Sequence, residues 1–123
     1  MIGKIYKART PFYDQINHRM SYKARPALVL AKADAEDYVV LPVSSISIRA
    51  NIDPVYDIEI DPGLYPKLNL RNTSYVRTHK QTTVHRANLR DEIGDLKSDY
   101  EELYLEILEK REAFSNSITQ QAL

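Results

Sequence analysis

Through residue 96 the chain is a succession of short runs rich in valine, isoleucine, leucine and tyrosine, separated by turn residues; only the segment after them carries a helical period. That order restricts the chain to a compact, mainly β unit with one C-terminal helix. Its 123 residues suffice for one core and leave no room for a second, since single domains commonly close at about 100–150 residues. Residues 1–114 are expected to form that domain, and the polar stretch 115–123 to fray.

Within this plan the strands can be placed. Ala27-Leu28-Val29-Leu30, after Pro26, and Tyr38-Val39-Val40-Leu41 are continuous apolar runs, the pattern of central strands buried on both faces. Tyr56-Asp57-Ile58-Glu59-Ile60 alternates apolar with acidic residues and ends in Asp61-Pro62-Gly63, which predicts a half-buried strand with its acidic side in water. Residues 74–80 are β-rich, with Ser74, Val76, Thr78 and Lys80 on one face and Tyr75, Arg77 and His79 on the other. Residues 12–24 lack a strand pattern and are expected to form a long loop, a feature more often functional than idle in a small domain. In the C-terminal segment, Ser98-Asp99-Tyr100-Glu101 has capping-box form, and Tyr100, Leu103, Tyr104, Ile107, Leu108 and Phe114 recur at helical spacing. An amphipathic helix is expected there, with acids at its start and Lys110-Arg111 near its end, each opposing the local helix dipole.

Formal net charge is zero, yet the charges are segregated. Residues 1–32 hold seven basic and one acidic side chain, 33–66 one and seven, 67–90 six and none, and 91–123 three and nine. Two basic blocks folded side by side would make a positive groove for phosphate; the same blocks could instead neutralise the acidic ones across the surface. The absence of cysteine excludes disulfides, thiol nucleophiles and cysteine-ligated zinc. No apolar run approaches the roughly 18 residues of a membrane span. The N-terminal apolar residues are interrupted by Lys4 and Lys7, unlike a secretory signal, so residence in the cytoplasm is expected. Metal-binding spacings and phosphate-binding glycine loops are missing, so neither metal nor cofactor is expected. Asp99, Glu101, Glu102, Glu106 and Glu109 form a solvated helix face.

Five segments, Gly3-Lys4-Ile5-Tyr6, Arg25-Pro26-Ala27-Leu28-Val29-Leu30, Val40-Leu41-Pro42-Val43-Ser44-Ser45, Ser74-Tyr75-Val76-Arg77 and Ile93-Gly94-Asp95-Leu96, together resemble the signatures of the bacterial PemK/MazF toxin family, in the family's order and over nearly the whole chain. The resemblance implies an SH3-like barrel with an added helix, a homodimer, and a ribosome-independent RNA endonuclease held off by an antitoxin protein. Carried over position by position, it makes Arg25 and Ser44 the catalytic candidates. Ser44 stands where the family usually has threonine, and Ser74-Tyr75 where many members have an acidic-glutamine pair.

The residue chemistry is compatible with that implication. RNA cleavage by the neighbouring 2′-hydroxyl needs no protein nucleophile; the protein must move protons and stabilise charge on a five-coordinate phosphorus. The forked guanidinium of Arg25 suits two phosphate oxygens, and the Ser44 hydroxyl can donate a further bond. Since arginine titrates above about 12, charge stabilisation suits Arg25 better than a base role. A histidine would be the better proton shuttle, and the chain has His18, His79 and His85, the last read as surface. Single-stranded RNA is expected to lie across His18 and Arg19, past Ser44 and Ser45, and along the face of Tyr75, Arg77 and His79, where a ring can stack a base. The bland alternatives are a core Tyr75, an exposed strand His79, an Arg25 paired to an acid and a turn-forming Ser44. Two other functions stay open: a non-catalytic SH3-like module gripping RNA or a peptide through Tyr75, Arg77 and the loop, and an interaction protein using its helix and acidic blocks.

Overall fold

Pro26 and the apolar run behind it stand in the second of seven strands in the computed structural model, which describes residues 1–123. The strands are β1 (Lys4–Asp14), β2 (Arg19–Lys32), β3 (Asp37–Ser44), β4 (Asp57–Ile60), β5 (Ser74–Arg77), β6 (Thr82–His85) and β7 (Leu89–Asp95), followed by helices α1 (Leu96–Asp99) and α2 (Glu101–Ala122). The antiparallel sheet runs β4-β5-β3-β2-β1-β7, with β6 paired to β3, and curls into a half-barrel. The expected fold class, mainly β with a small curled sheet and a C-terminal helix, is observed, the sheet forming a half-barrel.

The two continuous apolar runs are buried on both sides, as expected. Leu28 and Leu41 belong to the main core with Ile5, Val43, Ile60 and Val76, and this core is closed by Leu103, Tyr104 and Ile107 of α2. Their neighbours Ala27, Val29 and Val40 point the other way, into a second cluster with Ala8, Tyr38 and Leu89. Each fully buried leucine or isoleucine contributes about 1.5–3 kcal/mol by leaving water, so α2 is fastened mainly through its apolar stripe.

Three expectations change. Residues 12–24 are not a loop: β1 and β2 pair continuously from Ile5↔Leu28 to Asp14↔Arg19 as a long two-stranded arm. Its turn is held by Asp14, whose Oδ1 accepts from the N–H groups of Ile16 (3.0 Å) and Asn17 (3.2 Å) while Oδ2 accepts from Asn17 Nδ2 (2.8 Å). Those bonds, with the Asn17 side chain first, hold the Asp14 carboxyl below its usual range. Diagonal cation–π pairs, Arg9 over Tyr22 (4.1 Å) and Lys23 over Phe12 (4.5 Å), do along the arm what core packing does elsewhere. Second, the helical cap lies earlier than Ser98. Asp95 accepts from the Ser98 N–H (3.1 Å) and caps α1; the chain then breaks at Tyr100, whose hydroxyl accepts from the Lys67 N–H, and α2 starts at Glu101. Third, residues 115–122 are helical rather than frayed, which leaves Lys110 and Arg111 in mid-helix, away from the C-terminal dipole.

Gly3 locks the N-terminus to the barrel. Its N–H donates to the Val29 carbonyl (2.8 Å), its carbonyl accepts from the Lys97 N–H (3.0 Å), and its φ of 84° lies in the left-handed region. A Cβ at this position would collide with the Lys97 side chain. Gly3→Ala should therefore lower the unfolding free energy by about 2 kcal/mol, combining left-handed strain with overpacking. A urea melt within about 0.5 kcal/mol of the parent would show that α1 yields and that the lock is not tight.

Candidate active site

The sheet splits at one place. The pairing of β2 with β3 ends at Ala27↔Pro42; beyond it β2 keeps only β1 as a partner, and β3 turns to β5 through Ser44↔Tyr75. A gap opens between the diverging strands, with Arg25 on one lip and Ser44 and Ser45 on the other. Into this gap opens a cleft of about 430 Å³, lined by these three residues, by Ser47, Asn51 and Arg77, and by the apolar side chains of Ile46 and Ile48. A narrow slot of about 70 Å³ on the other side of Arg25 adds Thr10, Pro42 and Thr82. Arg25 is exposed and has no acidic side chain within 4 Å, so its forked donors are free. Two of its neighbours in the lining differ from it: Ser44 is half-buried, and Arg77 is held.

The hold on Arg77 comes from Asp57, directly opposite it in the β4–β5 pair. Arg77 Nε donates to Asp57 Oδ1 (3.1 Å), and Nη2 donates to Asp57 Oδ2 (3.4 Å) and to the Asn51 carbonyl (3.2 Å). The Asp53 N–H also donates to Asp57 Oδ2 (2.8 Å). The Asp57 side chain is 0% exposed and that of Arg77 23%. The expectation that the acidic side of this strand faces water therefore holds for Glu59 and fails for Asp57, because an arginine on the neighbouring strand can satisfy a carboxylate that alternation alone assigns to solvent. With Nε and Nη2 engaged, Arg77 has Nη1 left to offer the cleft.

Tyr75 and Ser44 are direct cross-strand partners and so share a sheet face. The Tyr75 hydroxyl donates to Glu59 Oε1 (3.4 Å), and desolvation followed by the Glu59 charge pushes its phenol above the ordinary value. It remains protonated near neutrality and cannot act as a base there. Nearby, Asp53 Oδ1 accepts from the N–H groups of Tyr56 (2.9 Å) and Val55 (2.8 Å), bonds that hold its carboxyl below the usual range.

Of the residues singled out in the sequence, the structure brings Arg25, Ser44, Ser45 and Arg77 to one cleft and sets Tyr75 beside Ser44. It separates the others. Arg19 lies six strand residues from Arg25, about 20 Å at strand rise, and His18 sits in the turn beyond it with φ 50°. His79 packs under α2 between Tyr56 (5.9 Å) and Phe114 (6.1 Å), with Nδ1 buried, unbonded and 3.8 Å from Asp57 Oδ1. His85 Nδ1 accepts from the Ala87 N–H (3.0 Å). No histidine and no acid lines the Arg25 cleft. Residues missed in the sequence are Ser47 and Asn51, from the segment after Ser45, and Asp57. The hydroxyl run Ser44-Ser45-Ile46-Ser47 was a usable signal for the first; nothing local marks Asn51. No group of three or more His, Asp or Glu side chains converges to hold a metal ion, and no helix is long and apolar enough to cross a membrane.

With this geometry in view, comparison with known proteins is informative. Residues 2–109 match the family model of the PemK-like, MazF-like toxins of type II toxin–antitoxin systems. Among solved structures, the Mycobacterium tuberculosis toxin MazF-mt6 superposes with a TM-score of 0.58 at 19% sequence identity, over 94% of this chain and 96% of that one. At that identity the likeness is one of fold. A search of curated protein sequences gave no match.

Proposed function

The chain belongs to the PemK-like, MazF-like toxins of type II toxin–antitoxin systems, and from that premise we propose that it cuts single-stranded RNA at the Arg25–Ser44 cleft, with the RNA's own 2′-hydroxyl as nucleophile and no metal ion. The observation that carries this is an exposed arginine with no acidic partner, facing Ser44 across a split in the sheet, in a cleft lined by two cations and no acid.

In the proposed reaction the 2′-oxygen attacks phosphorus, and its proton passes to water in the open cleft. Negative charge then builds on the non-bridging oxygens. Arg25 offers two of them parallel donors, and Ser44 donates a third hydrogen bond. Arg77, fixed by Asp57, offers its remaining Nη1 donor from the far wall without swinging away. Rupture of the bond to the 5′-oxygen, which takes a proton from water, leaves a 2′,3′-cyclic phosphate and a 5′-hydroxyl. Tyr75, on the same sheet face as Ser44, supplies a ring for an adjoining base. As a type II toxin the chain has a protein antitoxin as partner. An acidic antitoxin segment would exclude RNA from the cleft by charge, in a salt-dependent way. The active form in this proposal is a homodimer in the cytoplasm, as the family resemblance implies.

Incubation of the purified protein with a long single-stranded RNA in EDTA tests it. Discrete cuts ending in cyclic phosphate and 5′-hydroxyl are expected. Ser44→Ala should slow them about 10–100-fold with the same ends, the worth of one hydrogen bond to a charged group. RNA bound but left intact would sink the nuclease and leave a binding module.

A further inference from the structure

The gap between β2 and β3 opens on both faces of the sheet, and the Arg25 cleft occupies only one of them. Ala24 and Pro26 alternate with Arg25 along β2 and point to the opposite side. There a second cleft of about 380 Å³ lies between the base of the arm and the loop before β5. Its floor is apolar, with Ala24, Pro26 and Val43, and Lys7, Arg71 and Asn72 stand on its rim. Ser45 lines this cleft and the Arg25 cleft alike, so the two meet at that residue.

Charge and rigidity both mark it as a binding surface. The lining holds two cations and no acid. Arg71 is exposed with no acidic side chain within 4 Å, and Lys7 reaches only Asp91, at 4.0 Å between side chains 54% and 75% exposed, a pair that water screens. The loop is pre-set: Asn69, at φ 55°, donates through Nδ2 to the carbonyls of Ile93 (2.7 Å) and Lys67 (3.2 Å). At Gly94 on β7 a Cβ would stand 2.9 Å from Leu68 Cα, so loop and strand are in close contact. The volume falls in the range of small-molecule sites, about 300–1,000 Å³.

We propose that this cleft is a second nucleotide subsite, taking the nucleotide next to the one held at Arg25 and Ser44, with Lys7 and Arg71 on its phosphate and its base against the apolar floor. The inference rests on the nuclease function proposed above. RNA is favoured over a peptide because the cleft shares Ser45 with the first site, and the lining of each holds two basic side chains and no acid. The flat guanidinium of Arg71 can also stack on a base.

The test measures binding of 2′-fluoro RNA, which lacks the nucleophile, as a dinucleotide and as a hexanucleotide across a salt series. The double variant Lys7→Ala/Arg71→Ala alters exposed side chains and should keep the parental melting temperature. It should bind the hexanucleotide on the order of tenfold more weakly at low salt, with the slope of log K against log salt shallower by about 0.7, the value for one phosphate contact on a single strand. Dinucleotide binding should keep its salt slope and weaken less, because its single phosphate lies at Arg25 and Ser44. A variant that matches the parent in slope and length dependence overturns the subsite, and leaves the nuclease standing if the parent still cuts. Should that variant instead lose binding of a Glu- and Leu-containing decapeptide, the cleft belongs to a protein partner. A parent that binds neither RNA overturns the subsite and the nuclease together.

Discussion

Arg25→Ala should lower the rate of RNA cleavage by about 10²–10³-fold, the effect of removing one pre-organised donor from a developing oxyanion, with no change in melting temperature. Both halves follow from where Arg25 sits. It is exposed and makes no ion pair, so the native state loses no buried contact when it is truncated. For the same reason its donors are not consumed before substrate arrives, in contrast to those of Arg77. Arg25→Lys separates charge from shape. An ammonium restores the charge but presents no parallel pair of donors, so it should recover only part of the lost rate. Single-turnover rates at saturating RNA read the effect on the chemical step free of binding. An Arg25→Ala protein that cuts within threefold of the parent would exclude this residue from the reaction and direct attention to Arg77.

The same contrast between free and held groups explains what the sequence could disclose. The runs 27–30, 38–41 and 56–60, which fall in β2, β3 and β4, are legible because burial on one or both faces writes apolar runs or alternation into the chain. The arm was not legible, because neither face of a two-stranded ribbon leaving the barrel is covered. Tyr13, Ile16, Met20 and Tyr22 there are all more than half exposed, and polar and apolar residues fall on both sides. Its stability comes instead from the Asp14 turn and from diagonal cation–π pairs, which leave no periodic trace. Arg25, Ser44 and Arg77 are candidates through motif resemblance, and the split in the sheet accounts for their lining one cleft. His18 and His79 are candidates from the ordinary pKa of histidine and from their places in a polar segment and on the Tyr75–Arg77 face; one lies in the turn at the tip of the arm and the other packs against Phe114. Asp57 was misread because alternation knows the faces of one strand and nothing of the cation on the next.

Asp57→Ala should cost about 3 kcal/mol of stability, toward the low end for breaking a buried ion pair. The carboxylate has no exposed surface and serves three donors, the two Arg77 nitrogens and the Asp53 N–H. Its removal leaves Arg77 largely buried with the Asn51 carbonyl as its remaining acceptor, and leaves the Asp53 N–H unpaired. The low end applies because the Arg77 side chain keeps 23% of its exposure and can hydrate in part. Asp57→Asn retains an oxygen acceptor while losing the charge, so about 2 kcal/mol is expected from the charge-assisted share of the bonds. Replacing both partners, Asp57→Leu with Arg77→Met, should destabilise by less than the sum of the two single changes, since no uncompensated charge remains. Urea titration of these three variants and of the single changes Asp57→Leu and Arg77→Met measures the effects. Near-additive effects, or a loss below about 1 kcal/mol for Asp57→Ala, would mean that the pair behaves as a solvent-screened surface bridge. Cleavage follows the same cycle: freed from Asp57, Arg77 no longer presents a fixed wall to the cleft, so folded Asp57→Asn protein should cut more slowly than its stability alone explains, and adding Arg77→Met to it should slow cleavage little further.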